Sequence, residues 1–253
     1  MENSILDFTG KVAFITGAAG EIGAKTEELF LRQGARVVSA DLAFPAPKGA
    51  RPDFAANPLR VRLDVTRAED VQRLVELTAR ERGGIDVVVN AAGVLNIKPF
   101  LEITESEWDR TFAVNVKGMF LVCQAALRKM ISQKRGCFVN FASISGKVGG
   151  VLAGADYSAS KAAVICLTKS LAKAGAPYGI RANSVAPGAV YSPMLDLYYR
   201  EHAEEMRQSE KSHPLGRFGR PEEVASAVLF LASDQASYIT GACMDINGGS
   251  RMD

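Results

Sequence analysis

A short apolar run of strand length, Lys11-Val-Ala-Phe-Ile-Thr16, gives way at once to Gly17-Ala-Ala-Gly20-Glu21-Ile22-Gly23 and then to helical periodicity through Leu29, Phe30 and Leu31. Strand, glycine-rich turn and helix in immediate succession leave a chain few arrangements. The N-terminus of such a helix offers orphan N–H donors and the positive end of the helix dipole, and glycines let the turn's backbone come close to a pyrophosphate. A second strand, Arg36-Val-Val-Ser-Ala-Asp41, ends in a carboxylate. An acidic residue at that position can accept hydrogen bonds from an adenosine ribose diol. The opening of the chain reads as a nucleotide-binding unit.

Further strands are predicted near 60–64, 86–90, 136–142, 180–186 and 243–246, with helical segments between most of them. Short apolar strands separated by helices imply a parallel sheet covered on both faces. One crossover departs from this rule: Pro45, Pro47, Pro52 and Pro58 fall between Asp41 and Arg60, so an irregular segment or a shortened helix is predicted there. With 253 residues, 47% of them hydrophobic, and no linker, the chain reads as one α/β domain over 1–253.

Tyr157-Ser-Ala-Ser-Lys161 places a phenol and an ammonium one helical turn apart on one face, with Ser143 and Ser145 upstream. A tyrosine titrates near ~10, and bringing it towards neutrality takes roughly 4 kcal/mol of preference for the phenolate. A lysine on the same face can supply that preference, which makes Tyr157 a candidate general acid/base whose proton affinity Lys161 lowers. Taken alone, the pentapeptide reads more simply as decoration of a helix surface.

In one order along the chain stand Thr16-Gly17 with Gly23, Asn90-Ala91-Ala92-Gly93, Asn115, Ser143, Tyr157 with Lys161, and Pro187-Gly188. With this series the chain resembles a short-chain dehydrogenase/reductase over nearly its whole length. The resemblance implies a single-domain Rossmann-type fold, a doubly wound parallel sheet of about seven strands with helices on both faces. It implies catalytic roles for Asn115, Ser143, Tyr157 and Lys161. Tyr157 exchanges the proton, Ser143 donates to the substrate oxygen, and Asn115 holds a water that connects Lys161 to solvent. Ser143, rather than Ser145, matches the family position when counted back from Gly146. Cofactor contacts are implied for Gly17, Gly20, Glu21, Ile22 and Gly23 in the turn, Asp41 and Leu42 after the second strand, and Asp64 and Val65 after the third. Asn90, Ala91 and Gly93 follow the fourth strand, Tyr157 and Lys161 join from the helix, and Pro187, Gly188, Val190 and Ser192 follow the sixth. Glu21 stands where the family has its second glycine, and its side chain is expected to point outward with the backbone preserved. Ala91 replaces a second asparagine, and Ser192 keeps the hydroxyl of the usual threonine.

Asp41 would repel a ribose 2′-phosphate, and neither Gly20 nor Leu42 supplies a cation, so NAD is expected rather than NADP. The reaction so implied is interconversion of a secondary alcohol and a ketone by hydride transfer. Its substrate is a polyol, a sugar, a cyclic alcohol or a similar small molecule. A 3-oxoacyl carrier-protein reductase is the alternative, which would use the basic cluster Arg128, Lys129, Lys134 and Arg135 as a docking patch. A nucleotide-sensing or scaffolding protein is the non-enzymatic alternative, which the intact set of four residues opposes. Residues 191–213 occupy the place of a substrate lid, where Met194, Leu195, Tyr198, Tyr199 and Met206 either line a pocket or pack a helix. His202 and His213 lack metal-ligand spacing, so no metal is expected. Trp108 is expected to pack in the core.

A net charge of +2, spread along the chain, gives no sign of a nucleic-acid track or a polybasic anchor. Cys123, Cys137, Cys166 and Cys243 lack paired spacing, which points to a reducing compartment. The first residues lack a signal pattern and no run of 18 apolar residues occurs, so a cytoplasmic protein away from membranes is expected. Resemblance alone implies a homotetramer, paired through helices at about 100–130 and 157–175 and through the C-terminal segments.

Overall fold

The computed structural model describes residues 6–45, 52–150, 153–192, 195, 199, 200 and 203–252. Met194, Tyr198 and His202 of the expected lid lie outside them, as do residues 46–51 of the proline-rich crossover. The chain runs β1 (Val12–Thr16), α1 (Glu21–Arg32), β2 (Arg36–Asp41), β3 (Leu59–Arg62), α2 (Ala68–Arg82) and β4 (Val87–Asn90). Then come α3 (Glu105–Phe112), a π-helical stretch (Ala113–Gly118), α4 (Met119–Gln133), β5 (Gly136–Phe141), the short α5 (Ser145–Val148) and α6 (Ala155–Gly175). It ends with β6 (Ile180–Pro187), α7 (Ala203–Ser212), α8 (Pro221–Ala232) and β7 (Cys243–Ile246). No helix spans the described residues between β2 and β3, as the prolines predict. No helix among the described residues is long and apolar enough to cross a membrane.

All seven strands are parallel, in the order β3-β2-β1-β4-β5-β6-β7. Side chains alternate between the faces. Phe14, Val38, Val88 and Phe138 enter one core with Leu74 and Val75 of α2, Val122 and Met130 of α4, and Val164 of α6. Ile15, Val37, Val89 and Val139 enter the other core with Phe30 of α1 and Val224 and Val228 of α8. This two-sided burial explains why the strands read as continuous apolar runs. The helix ends follow local chemistry: α2 stops at Gly83, φ +80°, and Thr104 opens α3 with a reciprocal capping box to Glu107. The Lys98 ammonium, with Thr104, holds the Glu107 carboxyl down to about 2.

Trp108 corrects its sequence reading. It is 40% exposed on the outer face of α3, where its ring stacks on Phe112 at 4.9 Å. Both cores are filled by aliphatic, phenylalanine, methionine and cysteine side chains, without Trp108.

The strand order reverses direction between β1 and β4, and ligands of open α/β sheets bind at the carboxyl ends of strands beside such a switch. The turns after β1 and β4 therefore share one edge with those after β5 and β6.

Candidate active site

A cavity of about 770 Å³ opens at that edge. Of the residues singled out from sequence, Gly17, Gly20, Glu21, Ile22, Gly23, Ala91, Gly93, Ser143, Tyr157, Lys161, Pro187, Gly188, Val190 and Ser192 line it. Asp41, Leu42, Asp64, Val65, Asn90 and Asn115 do not, and each has another place.

The glycine turn is built by close backbone approach. A Cβ on Gly23 would lie 2.1 Å from the Gly17 carbonyl oxygen, whereas one on Gly20 would meet nothing nearer than 3.5 Å. Gly20 caps α1 without a side chain, so no side-chain oxygen covers the first-turn amides, and Glu21 opens the helix. Asp41 Oδ2 accepts from the Ala19 amide at 3.0 Å and Oδ1 from Ala43 at 2.8 Å, which fixes the carboxylate over the turn. Open helix-end amides with a ribose-height carboxylate fit a dinucleotide. Asp64 accepts from both the amide and the hydroxyl of Thr66. Asn90 is buried between strands, donating to Asn140 Oδ1 at 2.9 Å, and Asn140 donates on to Thr168. It therefore ties β4 to β5 and α6 and does not face the cavity.

On the other side, α6 projects Tyr157 and Lys161 from one face. Lys161 Nζ donates to the Phe141 carbonyl at 2.7 Å and lies 5.5 Å from the centroid of the Tyr157 ring. Ser143, at the end of β5, is hydrogen-bonded to the Tyr157 phenol and accepts from the Ser145 amide at 3.1 Å. Ser145 only begins α5, so geometry favours Ser143 of the two. Asn115 sits in the π-helical stretch, buried, with Oδ1 accepting from the Val94 amide at 2.8 Å. Its Nδ2 donates to the Val94 carbonyl at 2.9 Å and to Ser160 at 3.0 Å. A Cβ on Gly93 would come within 3.3 Å of Asn115 Oδ1 and 3.5 Å of Lys161 Nζ, so Gly93 keeps the two side chains in one space.

Burial dominates the titration of the pair. Desolvation pushes the Tyr157 phenol up from its ordinary value, opposed by the hydrogen bond from Ser143. The lysine is itself pulled down to about 8 by burial. The reason is that neither group keeps water around its charge once buried. Because the folded lysine holds its proton less tightly than the unfolded one, near 10.4, the unfolded state binds more protons between those values, and stability rises with pH there. Relative to Lys161→Met, the wild type should therefore gain about 2 kcal/mol between pH 7 and 9.5, read from urea midpoints at each pH. A constant difference across that range would mean that Lys161 titrates normally.

Sequence reading missed a supporting network. Asp156, fully buried beside Tyr157, accepts from Thr111 Oγ1 at 2.6 Å and Asn96 Nδ2 at 2.8 Å, and the Asn96 carbonyl accepts from the Gly154 amide at 2.8 Å. Lys147 of α5 pairs with Asp245 of β7 at 2.7 Å. These partners lie 45 to 98 residues apart in the chain, so no local pattern announces them.

A family model described as enoyl-(acyl carrier protein) reductase matches residues 17–251. The chain is 41% identical to the 3-oxoacyl-(acyl-carrier-protein) reductase of Thermotoga maritima, over 95% of this chain and 97% of that one. It is 40% identical to the cis-4-hydroxycyclohexanecarboxylate dehydrogenase of Sinomonas cyclohexanicum, over 96% and 97%. A solved short-chain dehydrogenase/reductase from Brucella melitensis, described as a glucose/ribitol dehydrogenase, superposes with a TM-score of 0.85. It is 32% identical over 98% of this chain and 99% of that one. The chain belongs to the short-chain dehydrogenase/reductase family. As such it is an oxidoreductase of CH–OH groups, interconverting alcohol and ketone with a nicotinamide cofactor of the NAD(P) type. The parallel sheet of the short-chain dehydrogenase/reductase places its cavity where the glycine turn and the Tyr157–Lys161 face meet.

Proposed function

We propose that the protein is an NAD-dependent dehydrogenase of a small secondary alcohol, with Ser143, Tyr157, Lys161 and Asn115 as its working residues. The observation that carries this reading is the convergence of Ser143, Tyr157 and Lys161 on one cavity that the glycine turn also lines. When bound, the nicotinamide supplies or accepts the hydride. Gly17, Gly20, Ile22 and Gly23 would hold the pyrophosphate, Asp41 with Leu42 the adenosine ribose, Asp64 and Val65 the adenine, and Pro187, Gly188, Val190 and Ser192 the carboxamide. Ala91 and Gly93 form the floor. Ser143 orients the substrate oxygen, and Tyr157 Oη holds the proton that this oxygen gains or loses. Burial raises the phenol's proton affinity, so the group that takes the alcohol proton is the phenolate, which positive charge beside the ring favours. Lys161 places its charge beside the ring, and Asn115 fixes the backbone of the loop after β4.

The choice of NAD rests on Asp41 and on the absence of a cation in residues 17–23 and at position 42. The test is reduced-cofactor formation with NAD and NADP separately, in wild type and Asp41→Ser. NAD should be preferred, and the variant should shift the kcat/KM ratio towards NADP by at least about fivefold, the order of one removed charge repulsion. A wild-type preference for NADP would overturn the reading and direct attention to Arg62, the register partner of Asp41.

Similarity to the Thermotoga reductase supports a second reading, reduction of a 3-oxoacyl carrier-protein thioester. The basic cluster lends it less: Arg135 pairs with Asp86 at 2.8 Å, and Lys129 lies 3.9 Å from Glu76. Four free cysteines agree with a reducing, cytoplasmic setting. A homotetramer is supported by the exposed Trp108 and Phe120 along α3 and α4 and by Tyr238 near the C-terminus. Light scattering giving the mass of one chain would remove the tetramer.

A further inference from the structure

We infer that the substrate half of the cavity selects an uncharged, largely hydrocarbon secondary alcohol or ketone over polyols, sugars and hydroxy acids. This deepens the dehydrogenase reading and rests on it. Beyond Ser143 and Tyr157 the walls are Val94, Leu95, Ile97, Ile144, Val148 and Leu195. Ile97 and Val148 remain 43% and 59% exposed, and none of the six belongs to either hydrophobic core. Apolar side chains that line a cavity and stay outside the cores gain from a ligand that removes them from water.

The polar inventory is short. Among the described lining residues only Glu21 and Lys161 carry charge. Glu21 belongs to the turn at the start of α1, and Lys161 is engaged by the Phe141 carbonyl. Tyr191 donates its hydroxyl to Glu210 at 2.6 Å. With Ser143 and Tyr157 assigned to the reacting oxygen and Ser192 to the carboxamide, Ser145 is the one described lining side chain left for another hydroxyl. A hexitol or hexose brings several more, and each one buried without a partner costs roughly tenfold in binding. A carboxylate fares worse, since no described wall cation would meet it.

The test uses the protein saturated with NAD and compares cyclohexanol, sorbitol and cis-4-hydroxycyclohexanecarboxylate. Cyclohexanol should exceed sorbitol by about 100-fold or more in kcat/KM, and the carboxylate by about tenfold. Sorbitol or the carboxylate matching cyclohexanol, with turnover lost in Tyr157→Phe, would overturn the chamber's assignment and leave the dehydrogenase reading standing. If none of the three is turned over, the dehydrogenase reading is in question, and the chamber is decided by binding alone. In Tyr157→Phe loaded with NADH, calorimetric titration should then give cyclohexanone at least tenfold tighter than fructose. Equal affinity, or tighter fructose, overturns the inference.

Discussion

Tyr157→Phe should lower kcat by about 10³-fold while NADH binds within twofold of wild type, because the substitution removes one hydroxyl from the cavity and leaves the glycine turn untouched. A positioned acid or base commonly contributes 10²- to 10⁴-fold, and here the phenol is hydrogen-bonded to Ser143. Steady-state turnover and the fluorescence of bound NADH separate the two effects. Loss of dinucleotide affinity together with turnover would show that the side chain props the site open and does not move a proton. Wild-type-like turnover would transfer the chemistry to another group. Since burial raises the phenol's affinity for its proton, the remaining ketone reduction should also lose its dependence on alkaline titration of this residue.

Gly17→Ala should destabilise the protein by about 3 kcal/mol or more and abolish dinucleotide binding. Two effects combine. Gly17 has φ +70°, which costs an L-residue roughly 1 kcal/mol, and its Cβ would lie 2.4 Å from the Ala91 carbonyl carbon and the Ala92 nitrogen. Both neighbours are backbone at the end of β4, so no side chain can swing aside. Gly83→Ala separates the two causes: φ is +80° there, but nothing stands within 4 Å of the added carbon, and about 1 kcal/mol should be the whole cost. Similar urea midpoints for the two variants would mean that the turn after β1 yields more easily than its contacts suggest.

The architecture was readable because β1, β2 and β4 are apolar on both faces and α1, α6 and α8 begin at a glycine or proline, so period and punctuation agree. The Tyr157–Lys161 pair was legible for the same reason, since a spacing of four fixes a shared helix face. What sequence could not supply was environment. The distance from Lys161 Nζ to the Phe141 carbonyl depends on how α6 docks against β5, and that contact turns the lysine from a neighbour of the phenol into a partner of the backbone. Trp108 misled because its size suggests burial, whereas α3 turns its apolar side only partly inward. Asp156, Thr111 and Asn96 carry no mutual pattern, as three different connections must fold before they meet.

The two cores lie between sheet and helices, while the six apolar walls of the cavity lie beyond the strand ends and contribute to neither. Exchanging a wall residue therefore leaves the folding free energy nearly unchanged while it redraws what the cavity accepts. Such a scaffold is evolvable: substrate preference can drift one neutral substitution at a time, and descendants with the same fold and the same proton-transfer pair can diverge in diet without first acquiring a reserve of stability.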